Sequence, residues 1–174
     1  VQFRQAGFVE VVAGALGASG LAAGRLELEL TERTVMHDAE VTLGTLSALH
    51  RMGVCLALDD FGTGYSSLAY LKRFPVGKLK IDRSFIRDLE IDADDRAIAS
   101  TIVSMGRNLR LKVLAEGVES AEQLELLRTM NCQMAQGYHF SRPVDAARMT
   151  ELLRDQPFLY GIESWKKPES GSMA

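Results

Sequence analysis

Apolar and polar positions alternate in short runs along this chain, and five of those runs predict β-strands. They are Leu26–Glu32, Val54–Asp60, Lys78–Asp82, Lys112–Glu116 and Met134–Tyr138. Four of them carry carboxylates at the exit, and the fifth carries the amide Gln136. A period of two sorts the side chains by face. Glu27 and Glu29 lie opposite Leu26, Leu28 and Leu30; Lys78, Lys80 and Asp82 lie opposite Leu79 and Ile81.

Helical spacing fills the intervals. Residues 2–16 place Phe3, Phe8, Val9, Val12 and Leu16 on one stripe, and Gly17, Gly20 and Gly24 break that helix. Residues 38–52 follow, with Asp38 as N-cap, apolar Val41, Leu43, Leu46 and Leu49, and Gly53 at the end. A short helix from Leu68 to Phe74 stops at Pro75, and residues 94–110 form the longest helix, with Ile98, Ile102, Met105 and Leu109 on one face. Ser120 and Gln123 make a capping box that opens a helix over 121–130. Pro143 and Asp145 open the last helix, which ends near Arg154. Residues 1–155 read as one domain, and the tail 156–174, rich in Pro, Gly, Ser and Lys, is expected to fray.

Strands alternating with helices predict an α/β fold with a parallel sheet. Charge along one strand face needs partners or a metal. The interior of a barrel near its mouth supplies both, whereas a doubly wound sheet packs apolar residues on both faces. The mouth at the strand exits is also where parallel barrels carry out chemistry.

Composition narrows the function classes. At 174 residues the chain is long enough for a core, and 47% hydrophobic and 25% charged residues are ordinary for a globular protein. A net charge of -3 gives no reason to expect nonspecific nucleic-acid binding or membrane insertion. Cys55 and Cys132 lack metal-ligand spacing; Cys55, inside an apolar strand, is expected to be a reduced core thiol of a cytoplasmic protein. The sequence contains no signal peptide and no apolar run of membrane-spanning length, which is compatible with a membrane-tethered parent.

The ordered set Glu29-Leu30-Thr31-Glu32, Asp59-Asp60-Phe61-Gly62-Thr63-Gly64-Tyr65-Ser66-Ser67-Leu68, Leu79-Lys80-Ile81-Asp82-Arg83-Ser84-Phe85, Ala115-Glu116-Gly117-Val118-Glu119, Gln136-Gly137-Tyr138 and Phe140-Ser141-Arg142-Pro143 resembles the EAL family of cyclic diguanylate phosphodiesterases. Each motif alone is weak, but together and in order they are specific. The Glu-Ala-Leu sequence that names the family is absent, as is the Asn-bearing strand that follows it, and Gly77 stands where the family commonly has Asp. The resemblance therefore implies the C-terminal part of an EAL domain: a TIM-type (β/α)8 barrel, here incomplete, with about five strands. A sheet with unpaired edges is expected to be inactive as an isolated chain, and stable only through partner strands, swapping or oligomerisation.

The resemblance also implies roles. Glu29, Asp59, Asp60 and Glu116 would ligate two Mg²⁺ or Mn²⁺ ions, with Asp59 bridging. Hard divalent cations favour oxygen donors, and adjacent carboxylates repel one another without a cation. Lys80 would orient the attacking water and stabilise developing negative charge. Glu116, Glu119 and Gln136 would complete the catalytic set, Asp82 would support it, and Glu32 would anchor the Asp60–Ser67 loop. The implied reaction is hydrolysis of cyclic di-GMP to linear pGpG. Implied partners are a second copy, contacted through that loop, and an upstream sensor or GGDEF-type domain. The alternative is a receptor module that binds the dinucleotide without cleaving it.

Taken singly, the same residues have plainer readings. Asp59-Asp60 can be a strand exit followed by a helix cap, and Glu116 and Glu119 can be charges at a helix N-terminus. Lys80 is expected to pair with Asp82 as well. His37, His50 and His139 have no metal spacing and suit surface or packing roles. Met105, Met130, Met134 and Met149 suit core packing, and Trp165 a loosely packed terminal aromatic.

Overall fold

The computed structural model describes residues 2–32, 39–64 and 71–155. Helix α1 (Phe8–Ser19) is followed by β1 (Glu27–Thr31), α2 (Ala39–Arg51), β2 (Cys55–Phe61), β3 (Lys78–Ile81), α3 (Ser84–Arg87), α4 (Ala93–Asn108), β4 (Lys112–Glu116), α5 (Ala121–Thr129), β5 (Met134–Gln136) and α6 (Ala146–Asp155). The five strands pair in parallel in strict chain order, β1-β2-β3-β4-β5. A doubly wound sheet reverses its order at a switch point. Sequential order is the winding of a barrel wall, and it sets every strand exit along one rim.

The apolar pattern does the folding. Leu30, Leu56, Leu58, Leu79, Ile81 and Val113 are buried and share one cluster with Leu46 and Leu49 of α2 and Ala99, Ile102 and Val103 of α4. The alternate strand positions carry the charges. Asp92 caps α4 by accepting from the backbone N–H of Asp94 and Asp95 at 2.7 and 3.2 Å. At α5 both halves of the Ser120–Gln123 capping box are formed.

Several sequence expectations shift. The first helix begins at Phe8, after a short 3-10 turn over Gln2–Arg4, and runs past Gly17 to stop at Gly20, whose φ of 69° suits a left-handed cap. Helix α3 was not expected. Strand β5 ends at Gln136 because the backbone then turns: the Gly137 carbonyl accepts from Phe140 N, and His139 N donates to Val118 O. Cys55 is exposed, not core, because it is the first residue of β2, at the rim where the strands enter the sheet. Met149 is 44% exposed, on a helix none of whose residues is buried, and Met134 is half-buried; Met105 and Met130 pack on the core as expected. Asp38, His37, the start of the 68–74 helix, Trp165 and the 156–174 tail lie outside the described residues.

Helix α4 lies against β4 through Gly106, where an added Cβ would come within 2.3 Å of Val113 Cγ2. A helical Gly→Ala change normally gains up to about 1 kcal/mol, but overpacking a buried contact costs about 1–3 kcal/mol. Gly106→Ala is therefore expected to lower the urea midpoint, and an unchanged or raised midpoint would contradict this packing.

Candidate active site

One lysine organises the rim. Lys80, on β3, is 4% exposed, and its Nζ lies 2.8 Å from Glu29 Oε1 on β1, 3.0 Å from Asp59 Oδ1 on β2 and 2.8 Å from Glu116 Oε1 on β4. Four adjacent strands thus converge on one ammonium. A layer nearer the strand entrances repeats the arrangement in small, with Lys78 Nζ 2.6 Å from Glu27 Oε1. Burial alone would lower the Lys80 pKa, but hydrogen bonds to Glu116, Glu29 and Asp59 more than offset it, and the group is held well above the ordinary lysine value. The expected Lys80–Asp82 bridge does not form. Asp82 instead accepts from Ser84 N at 2.9 Å and Ser84 Oγ at 2.5 Å. Burial pushes the Asp82 pKa up, and those bonds, with the charge of Arg83, bring it below the usual carboxylate value.

The two adjacent aspartates reach the same rim because β2 is bulged. Its register with β3 steps from Leu58↔Leu79 to Phe61↔Ile81, so β2 spends one more residue than its partner. Asp60 takes up the difference with a φ of 54°, a left-handed conformation that Asp tolerates. In a regular strand, neighbours point to opposite faces. Here Asp60 comes within hydrogen-bonding reach of Asp82 while Asp59 holds Lys80. Burial, then the charges of Asp59 and Asp82, raise the Asp60 pKa, and Lys80 only partly opposes them. Glu116 is likewise raised: burial, with the charges of Asp59 and Glu29, outweighs its bond to Lys80.

The remaining candidates sit around this cluster. Glu32 is 2% exposed at the end of β1, and its Oε2 accepts from Gly62 N at 3.1 Å. A Cβ on Gly64 would lie 2.8 Å from Glu32 Oε1, so the loop passes close over this carboxylate. Residues 65–67 of the loop are outside the described residues. Gln136 stands beside Glu116 in register, and its carbonyl accepts from Val118 N. Glu119 is exposed on the turn after Glu116, and its backbone N–H donates to Gln123 Oε1 at 2.7 Å. His50 and His139 are both exposed.

Among the described residues, no group of three His, Cys, Asp or Glu side chains is arranged by itself to hold a metal ion. Lys80 occupies the point on which Glu29, Asp59 and Glu116 converge. The donor set still fits a hard divalent cation. Three carboxylates face one ammonium, Asp60 and Asp82 add further acid groups, and every donor is oxygen. Among the described residues, no helix is long and apolar enough to cross a membrane.

Residues 1–143 match the family described as EAL domain. The chain belongs to the EAL domain family. Among curated EAL relatives, it is 49% identical over 154 residues to the cyclic di-GMP phosphodiesterase NbdA of Pseudomonas aeruginosa, an alignment covering 88% of this chain and 20% of that protein. It is 50% identical over 149 residues to the bifunctional diguanylate cyclase/cyclic di-GMP phosphodiesterase MucR of the same organism, covering 86% and 22%. The chain thus spans about a fifth of these relatives' lengths. Among solved structures it superposes on the MucR phosphodiesterase in its c-di-GMP complex with a TM-score of 0.83 at 50% identity, covering 85% of this chain and 60% of that one. It also superposes on a manganese/cyclic-diGMP complex of Klebsiella pneumoniae BlrP1, with a TM-score of 0.76 at 35% identity, covering 82% and 36%. These likenesses extend the five-stranded parallel sheet to a TIM-type barrel architecture.

The raised pKa of Asp60 has a measurable consequence. Folding favours its neutral form, so the ionised group costs stability at pH 7, and this cost vanishes as the pH falls through the folded pKa. Asn mimics the neutral acid and tolerates the same backbone angle. Asp60→Asn is expected to raise the melting temperature of the metal-free protein at pH 7, with the gain shrinking towards pH 4. A lower melting temperature at pH 7 would contradict the crowding of Asp59, Asp60 and Asp82.

Proposed function

We propose that this chain supplies five strands and the catalytic rim of a divalent-metal-dependent phosphodiesterase that hydrolyses cyclic di-GMP to linear pGpG. The observation that carries the reading is the convergence of Glu29, Asp59 and Glu116 on Lys80, in a family whose relatives include named cyclic di-GMP phosphodiesterases. In this reading Glu29, Asp59, Asp60 and Glu116 would hold the divalent cations, Mg²⁺ or Mn²⁺. When bound, the cations neutralise the phosphodiester and make water easier to ionise.

The protein groups then divide the work. Lys80 keeps its proton, so it stabilises charge on a phosphoryl oxygen and directs a water by hydrogen bonding. Glu116, which faces Lys80 across the rim, would take the proton of the attacking water; as the new P–O bond forms, the bond to the leaving sugar oxygen breaks and that oxygen takes a proton from solvent. Glu119, on the turn that follows Glu116, and Gln136, beside Glu116 in register, orient that water, and Asp82 keeps Asp60 in place. Glu32 fixes the Asp60–Ser67 loop through Gly62. We assign to that loop the contact with a second copy, and to upstream sequence a sensor or GGDEF-type domain. In this reading the site is cytoplasmic.

The test is turnover of cyclic di-GMP by the full-length protein that contains this chain, in Mg²⁺ or Mn²⁺ with a chelator control. Metal-dependent release of pGpG is expected; binding without turnover would make the protein a receptor and overturn the reading. Lys80→Ala removes a preorganised donor and is expected to lower kcat by about 10²–10³-fold. Asp59→Ala is expected to abolish metal-dependent turnover, and wild-type rates in either variant would remove that residue from the mechanism.

A further inference from the structure

The turn that carries Glu116 and Glu119 is tied to the segment that follows Lys80 and Asp82, and the tie runs through the first turn of α5. Gln123 is 6% exposed and uses both ends of its amide. Its Oε1 accepts from Glu119 N at 2.7 Å and from Ser120 N at 3.2 Å. Its Nε2 donates 3.1 Å to the carbonyl of Arg87, the last residue of α3. Ser120 makes a second tie, its Oγ donating 2.5 Å to Glu90 Oε1 while accepting from Gln123 N at 2.9 Å. Between the ties, Gly117 at a φ of 75° lies so close to Arg83 that a Cβ would approach Arg83 Cβ to 2.7 Å. On the other side, Val118 N donates to Gln136 O and His139 N to Val118 O. The 116–119 turn is thus held between the β3–α3 segment and the end of β5.

Capping α5 requires only the acceptor half of this amide. The donor half, aimed at Arg87, contributes nothing to the cap. We propose that Gln123 and Ser120 are positioning residues: together they strap the Glu116–Glu119 turn to the Lys80–Asp82 side of the rim and so set the spacing of the carboxylates across the site. The inference rests on the phosphodiesterase reading for its consequence in turnover, but not for the strap itself.

Gln123→Glu separates the two halves. It keeps an acceptor for Glu119 N and Ser120 N and loses the donor to Arg87 O. Outer partners of metal-site residues typically change affinity or activity by about 10–100-fold when removed. In the full-length protein, Gln123→Glu is expected to raise the Mn²⁺ concentration for half-maximal activity within that range and to lower kcat with KM nearly unchanged. Hydrogen exchange at the 116–120 amides should accelerate and the melting temperature should fall, because the substituted carboxylate is buried and faces the Arg87 carbonyl without a donor. Turnover, Mn²⁺ requirement and exchange all equal to wild type would reduce Gln123 to a cap and overturn the proposal. Should Gln123→Glu not fold, Glu90→Ala decides, because Glu90 is exposed and its loss cuts only the Ser120 tie. A raised Mn²⁺ requirement with an unchanged melt supports the strap, and no change in Mn²⁺ requirement or exchange overturns it. A wild-type protein without turnover would refute the phosphodiesterase reading alone; amide exchange over 116–120 in these variants would then decide the strap.

Discussion

A buried ammonium must be paired, because leaving it unpaired costs several kcal/mol. Lys80 meets that demand by drawing together side chains from three other strands, Glu29, Asp59 and Glu116. The pairing overshoots, since three carboxylates face one positive charge and two more acids stand beside them. That surplus is the chemically informative part. A structural ion pair stops near neutrality, as Lys78 and Glu27 do one layer below. In the proposed reading, that excess of oxygen donors at the strand exits suits a divalent cation. Lys80 limits the mutual repulsion of the acids and, in the proposed reaction, remains as a charged donor beside the phosphate.

The backbone serves this cluster at specific points. The extra residue in β2 turns Asp60 onto the same rim as Asp59. Gly117 lets the following turn press against Arg83, and Gly137 lets the exit of β5 pass Val118, where a Cβ would lie 2.1 Å from the Val118 carbonyl. Gly117 and Gly137 thus let neighbouring segments approach closely beside the point where the acids face one another.

Much of this is visible in the sequence. The five strands follow from alternation, and β4 runs over Lys112–Glu116 as expected. The charged face of β3 follows from period two, and the α5 cap follows from Ser120 and Gln123. Family membership follows from the order of motifs, with a match over residues 1–143. What alternation could not show is the bulge, because it breaks the period on which the reading depends. It also paired Lys80 with Asp82, two positions along the same strand face, where the structure gives Asp82 to Ser84 and Lys80 to neighbouring strands. Cross-strand partners are set by register, and register is not written in one strand. Cys55 misled for a related reason: an apolar run does not reveal which of its residues lies at the uncovered entrance of the sheet.

In the proposed reading the acids around Lys80 form one cation site. Crystals of the full-length protein grown with Mn²⁺ and measured for anomalous scattering test it most directly. The expected result is anomalous density among Glu29, Asp59, Asp60 and Glu116, with Lys80 still charged beside it. Anomalous density elsewhere, or none, with Lys80 still bound to all three carboxylates, would contradict the claim and leave a structural salt bridge in place of an active site.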